Sequence, residues 1–311
     1  MKLIHLIPVG TKIRFLHFRK MALVASLLLC VASLGLYAVK GLNYGIDFRG
    51  GILLEIRTAE AVELRTIRNQ ISAANLGNFE LQEFGQSTDI LIRIESQPGG
   101  APGQQKAIDA VKKALGPTID YRRTEFVGPT VSGELIQAGV TAVLLALAAM
   151  LMYIWFRFEW QFGVGAVVAL THDVIMTIGV FALLGLEFNL STVAAILTIA
   201  GYSINDTVVV YDRVRENLRK YKIMKLEDVL NLSLNDTLSR TLLTSITTLI
   251  ALLILFFWGG EVIKGFSFAM IWGVLVGTYS SIFIAAPLLI HLNLRAQDVA
   301  LDKDDGAETV R

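Results

Sequence analysis

The sequence predicts a polytopic α-helical membrane protein with six transmembrane helices and a ferredoxin-like α+β (βαββαβ) domain inserted after the first helix. Three observations carry that prediction. Of the 311 residues 54% are hydrophobic and mean hydropathy is +0.57, which is too apolar for a soluble chain of this size. The apolar residues gather in runs of about 19 or more, long enough to cross a bilayer. Between residues 40 and 132 those runs stop, and charges, Gly and Pro return with the short periodicities of a soluble fold.

Residues 1–20 are basic, with Lys2, Lys12, Arg14, Arg19 and Lys20, and are expected on the cytoplasmic side. Residues 21–39 contain no charge; at about 1.5 Å per residue they cover about 28 Å, the thickness of the hydrocarbon core. The run is long for a signal-peptide core and no small-x-small cleavage site follows, so an uncleaved first helix is expected.

Residues 40–132 read as one exterior domain. Ile52–Arg57 suits a strand, Glu60–Ala74 a helix with Leu64, Ile67 and Ile71 on one face, and Phe79–Phe84 and Asp89–Glu95 a pair of alternating strands. Ser96–Gly103 (SQPGGAPG) reads as a flexible loop, Gln104–Leu115 as a second helix and Ile119–Val127 as the last strand. That order is the split βαβ pattern.

Residues 133–292 return to membrane character, with spans expected near 135–156, 161–185, 190–211, 238–258 and 265–290, and 293–311 as a cytoplasmic tail. Gly273 and Gly277 form a GxxxG, by itself a weak signal for close helix contact. Arg213, Arg215, Arg219, Lys220, Lys222 and Lys225 crowd the segment after the fourth span, while the opposite turns offer Lys264. The positive-inside rule then places both termini in the cytoplasm and the 40–132 domain outside, in the periplasm of a bacterium with two membranes. Net charge of +1 names no partner and gives no sign of nucleic acid. A single cysteine, Cys30, excludes an intrachain disulfide, and four scattered histidines lack metal-ligand spacing, so no metal and no cofactor are expected.

Chemistry concentrates in three spans. The fourth carries Asn205 and Asp206 inside an apolar run that resumes at Thr207–Tyr211; an Asp near the centre of a spanning helix costs roughly 2.5–3.5 kcal/mol and commonly has a task. The fifth carries Arg240, Thr244, Thr247 and Thr248 at i, i+4, i+7 and i+8, one polar stripe. If the two helices touch, Asp206 and Arg240 stand at similar depth. Burial favours a neutral carboxyl and a guanidinium favours its anion, so such a pair can exchange a proton as the helices move. The third span adds His172 and Asp173 as accessory candidates. A Ser203/His172 hydrolase dyad is a remote alternative, because the GxSxG elbow is missing, and no HExxH marks a metal hydrolase.

Four separated stretches, Gly45–Gly51 (GIDFRGG), Val127–Gly133 (VGPTVSG), Thr171-His172-Asp173 and Ala200–Arg213 (AGYSINDTVVVYDR), resemble the SecD/SecF family of protein-export membrane subunits, within the resistance-nodulation-division superfamily. The likeness extends over nearly the whole chain from about residue 20 to 290. It implies an accessory, non-enzymatic subunit of the bacterial inner membrane that pairs with SecD, works with the SecYEG channel and often YajC, and uses the proton motive force to move preproteins. It also implies that Asp206 and Arg240 hold the family's proton-pathway positions. The glycine motif, Gly45, Asp47, Gly50 and Gly51, is read as structural: a turn from membrane helix to first strand, with Asp47 and Arg49 capping or pairing locally. A proton-coupled small-molecule exporter of the same superfamily is the alternative, although the chain is short for a complete pump.

Overall fold

The computed structural model describes residues 11–84, 86–292 and 294, so residues 1–10 of the expected N-terminal segment and nearly all of the expected tail lie outside the described residues. The chain divides into two units. One comprises the described residues of Met1–Asn43, Val143–Glu187 and Ser191–Arg311; the other comprises Tyr44–Ala142 with Phe188–Leu190.

The elements in chain order are a 3₁₀ turn (Phe15–Phe18), α1 (Arg19–Lys40), β1 (Asn43–Tyr44), α2 (Ile46–Arg49), β2 (Gly51–Arg57), α3 (Leu64–Ser72), β3 (Phe79–Phe84), β4 (Gln86–Ile94), α4 (Gly100–Leu115) and β5 (Asp120–Val127). They continue with α5 (Pro129–Arg157), α6 (Trp160–Leu184), β6 (Glu187–Phe188), α7 (Leu190–Lys220), α8 (Leu226–Trp258), α9 (Glu261–Ser280), a π-helical turn (Ser281–Ala285) and α10 (Ala286–His291). Six of these stretches are long and apolar enough to cross a membrane, as the sequence predicts.

The sheet-bearing unit stacks two helices on four strands in the order β3-β4-β2-β5, every neighbour antiparallel. Alternation fixes the register: Ile52, Leu54 and Ile56 of β2 and Ile90, Ile92 and Ile94 of β4 point to one face. There they meet Ile67 and Ile71 of α3 and Ile108, Val111 and Leu115 of α4. Each such side chain contributes about 1.5–3 kcal/mol by leaving water.

Two expectations shift here. Helix α3 starts at Leu64 rather than Glu60, because the Thr58 hydroxyl donates to the Glu60 carbonyl (2.6 Å) and holds that stretch in a turn. Helix α4 starts at Gly100, inside the expected loop: Gly99 takes φ +98° as its N-cap, and Pro102 sits in the first turn, where a missing N–H costs nothing.

Among the membrane helices the most apolar windows of α6, α7 and Ile263–His291 are 50%, 44% and 67% buried, against 11% for the first span and 17% for α8, so α6, α7 and α9–α10 form the centre. Close contact between α7 and α9 depends on Gly273 and Gly277: a Cβ at Gly273 would run into the Ile199 side chain, and one at Gly277 would press on Ser203. The GxxxG that is weak evidence in sequence is therefore a working contact surface. Helices α7 and α8 also run farther than the apolar runs. Arg213 pairs with Asp236 (2.8 Å), and Asn217 donates to the Ser233 hydroxyl (3.0 Å), joining their polar ends. The entry segment docks on α8: the Ile13 amide donates to Asn235 Oδ1 (2.9 Å), and Arg19 pairs with Glu227 (2.6 Å).

Candidate intramembrane polar site

Asp206 stands midway along α7 and is only 7% exposed. Helix periodicity puts Ser203, Asp206, Thr207 and Val210 on one inward face of α7, so the carboxyl enters the bundle rather than the lipid. Its Oδ1 accepts a hydrogen bond from the Thr241 hydroxyl of α8 at 2.6 Å. Its Oδ2 is buried and closes no hydrogen bond among the described residues, although the Ser281 hydroxyl flanks the carboxyl. One step along, Thr207 and Ser281 share a hydrogen bond (2.9 Å), and Ser281 donates to the Gly277 carbonyl (2.9 Å). Ser281 opens the π-helical turn, a departure from α geometry that recurs at functional sites.

Arg240 does not form the ion pair that the sequence allowed. It is exposed, it acts on Asp206 only through space, and its neighbour Thr241 makes the contact. The stripe Arg240, Thr244 and Thr247 faces outward, while Thr237, Thr241 and Ser245, offset by one position, face α7 and α9. Asn205 is exposed as well.

A second cluster centres on Asp173, which is 0% exposed. Its Oδ1 is 2.9 Å from His172 Nδ1, and its Oδ2 accepts from Ser203 of α7 (2.6 Å) and Ser280 of α9 (2.8 Å). Asp173 therefore ties α6, α7 and α9 together. Ser203 donates to Asp173 and not to His172, so the hydrolase order of nucleophile, imidazole, carboxylate is absent. Among the described residues no group of His, Cys, Asp or Glu has the arrangement of a metal site.

The glycine motif lies in the sheet-bearing unit. Gly50 and Gly51 have φ of +70° and +112°, and a Cβ at Gly51 would strike the Ile94 carbonyl oxygen. Only glycine fits there, which accounts for the pair in mechanical terms. Asp47 Oδ2 accepts from the Leu190 amide (2.9 Å), a contact between residues 143 apart in sequence. Gly45 has φ −69°, open to any residue, and Arg49 lies 3.6 Å from Glu80.

The family model for the protein export membrane protein SecD/SecF, C-terminal, matches residues 107–295, and that for the SecD/SecF GG motif matches residues 38–62. The protein translocase subunit SecF of Rhodobacter capsulatus is 45% identical over 315 residues, covering 96% of this chain and 95% of its own length. That of Rickettsia rickettsii is 45% identical over 290 residues, covering 92% and 94%. Among solved structures, the translocon-associated membrane protein SecDF of Thermus thermophilus matches with TM-score 0.84 and 35% identity over 92% of this chain, and the chain spans 39% of that longer one. SecDF in a super-membrane-facing form matches with TM-score 0.67 and 34% identity.

Proposed function

The chain belongs to the SecD/SecF family of protein-export membrane proteins, as a translocase subunit of the Sec system, and from that premise we propose that it couples the proton motive force to preprotein export. It supplies one half of a machine whose other half is a SecD protein, acting beside the SecYEG channel, with YajC as a further companion. It sits in the bacterial inner membrane with both termini in the cytoplasm. The single observation that carries this reading is Asp206: a buried carboxyl in a membrane helix, one oxygen held by Thr241 and the other unsatisfied.

A buried carboxyl in this setting has two states of different charge, and each favours a different arrangement of the groups around it. Moving one charge through the membrane field is worth about 2.3 kcal/mol per 100 mV, and a pH difference adds about 1.4 kcal/mol per unit. Arg240, exposed beside the site, is the cation that approaches or leaves Asp206 as α7 and α8 slide, with Thr241 holding the carboxyl in the present state. Asn205 and Thr244, exposed on the same two helices, tune that approach.

Export into inner-membrane vesicles tests the reading. Asp206→Asn removes the ionisable group at nearly constant shape. The gradient-dependent part of export is expected to vanish while the ATP-driven part persists. Full gradient dependence in that variant would overturn the relay.

A further inference from the structure

Asp173 is a carboxyl with no exposure, buried in the middle of a membrane bundle, and no Lys or Arg lies within ion-pairing distance of it among the described residues. A lone buried charge is costly unless it is paired or neutralised. Three donors converge on it: Ser203 and Ser280 on Oδ2 and the His172 ring on Oδ1. Both carboxyl oxygens of Asp173 are engaged, Oδ2 by two hydroxyl donors and Oδ1 by the imidazole Nδ1. The other ring nitrogen, Nε2, is buried and closes no hydrogen bond among the described residues. His172 is 6% exposed.

We propose that the His172–Asp173 pair is a second proton-binding site of the bundle, coupled to Asp206 through the helix positions they share. Binding adds one proton at Nε2, takes the pair from net charge −1 to zero and changes no other bond. His172 is then the countercharge that Asp173 lacks. The coupling is mechanical. Asp173 grips Ser203 on α7 and Ser280 on α9, and the next inward positions on those helices, Thr207 and Ser281, hydrogen-bond each other beside Asp206. A slide of α7 against α9 that alters the surroundings of Asp206 must also pull on the grip of Asp173. Of the titratable side chains on the packed helices, Tyr279 of α9 faces the pair, its ring 6.1 Å from that of His172, and Cys30 lies on the neighbouring α1.

This inference rests on the relay reading of Asp206, and its test separates the two. The full chain, labelled with ¹⁵N-histidine in lipid nanodiscs, gives ring-nitrogen signals for its four histidines, with His172 assigned by its loss in His172→Gln. The expected result is an imidazole-to-imidazolium conversion of His172 as the pH is lowered. In Asp206→Asn its midpoint is expected to move by about half a pH unit, a roughly threefold change in proton affinity. In Ser280→Ala, which loosens the grip and leaves the pair intact, the midpoint is expected to lose that sensitivity to Asp206→Asn. A His172 signal that ignores pH, or a midpoint identical with and without Asp206, overturns the inference even if Asp206→Asn abolishes gradient-driven export. Export that survives Asp206→Asn overturns the relay instead, whatever His172 does.

Discussion

Thr241 is the residue on which the arrangement around Asp206 turns, and the sequence hides it. Arg240, Thr244 and Thr247 form one helical stripe; Thr237, Thr241 and Ser245 form another, rotated by one position, about 100° around the axis. Both are polar and regular, and only the packing of α8 against α7 selects the second. Asp206 itself is legible, because an acid in an apolar run stands out against any background. Leaving a buried acceptor without its donor costs about 1–3 kcal/mol. Thr241→Val is therefore expected to cut gradient-dependent export roughly tenfold, with Thr241→Ser close to wild type, as measured in vesicles. At the glycine motif, Gly51→Ala combines a positive φ with a clash on the Ile94 carbonyl, whereas Gly41→Ala carries the positive φ (+70°) alone and meets open space. A strained backbone position costs about 1–3 kcal/mol. Gly51→Ala is expected to lower the thermal midpoint clearly, and Gly41→Ala by much less.

The longer elements are readable in kind and order and less so in extent, while β1, α2 and β6 are too short to leave a periodicity. Periodicity predicts β2, β3 and β5 to within a residue, because alternation over a buried sheet leaves one register, whereas β4 begins at Gln86, three residues before the expected Asp89. Helices α7 and α8 outrun their apolar cores, since a helix that leaves the bilayer satisfies its own backbone and continues on polar side-chain contacts such as Arg213–Asp236. The π-helical turn at Ser281–Ala285 leaves no mark in composition at all. Two substitutions and a control test the packing. Ile92→Ala opens a cavity between β4 and the two helices, at a cost of about 2–5 kcal/mol. Gly273→Leu forces α9 off Ile199 of α7, at a cost of about 1–3 kcal/mol, while Gly265→Ala, with nothing near it, is expected to be neutral. Thermal unfolding of the purified chain checks all three.

For the whole molecule, hydropathy alone predicts six spans, and Lys and Arg placement predicts which way they run. Cys30 is the single cysteine, so in a Cys30→Ala background a cysteine at Gly116 is expected to react with an impermeant maleimide from outside the cell. A cysteine at Lys222 is expected to react only after the membrane is opened. What one chain's sequence does not reveal is which helices await a partner. None of the most apolar window of α5 is buried, and Leu144, Leu145, Met152 and Phe156 are exposed along it. The exposed Arg240 and Asn205 add polar groups to outward faces of α7 and α8 that acyl chains do not satisfy. Both features suit a chain that works as one half of a larger assembly.

The central claim, an acid inside the bundle that takes up and releases a proton, is tested most directly by infrared difference spectroscopy. Wild-type protein and Asp206→Asn, each reconstituted with its SecD partner, are compared across a pH step. The account predicts a protonated-carboxyl C=O band in wild type that changes with pH and disappears in Asp206→Asn. Identical spectra from the two proteins at every pH would contradict it.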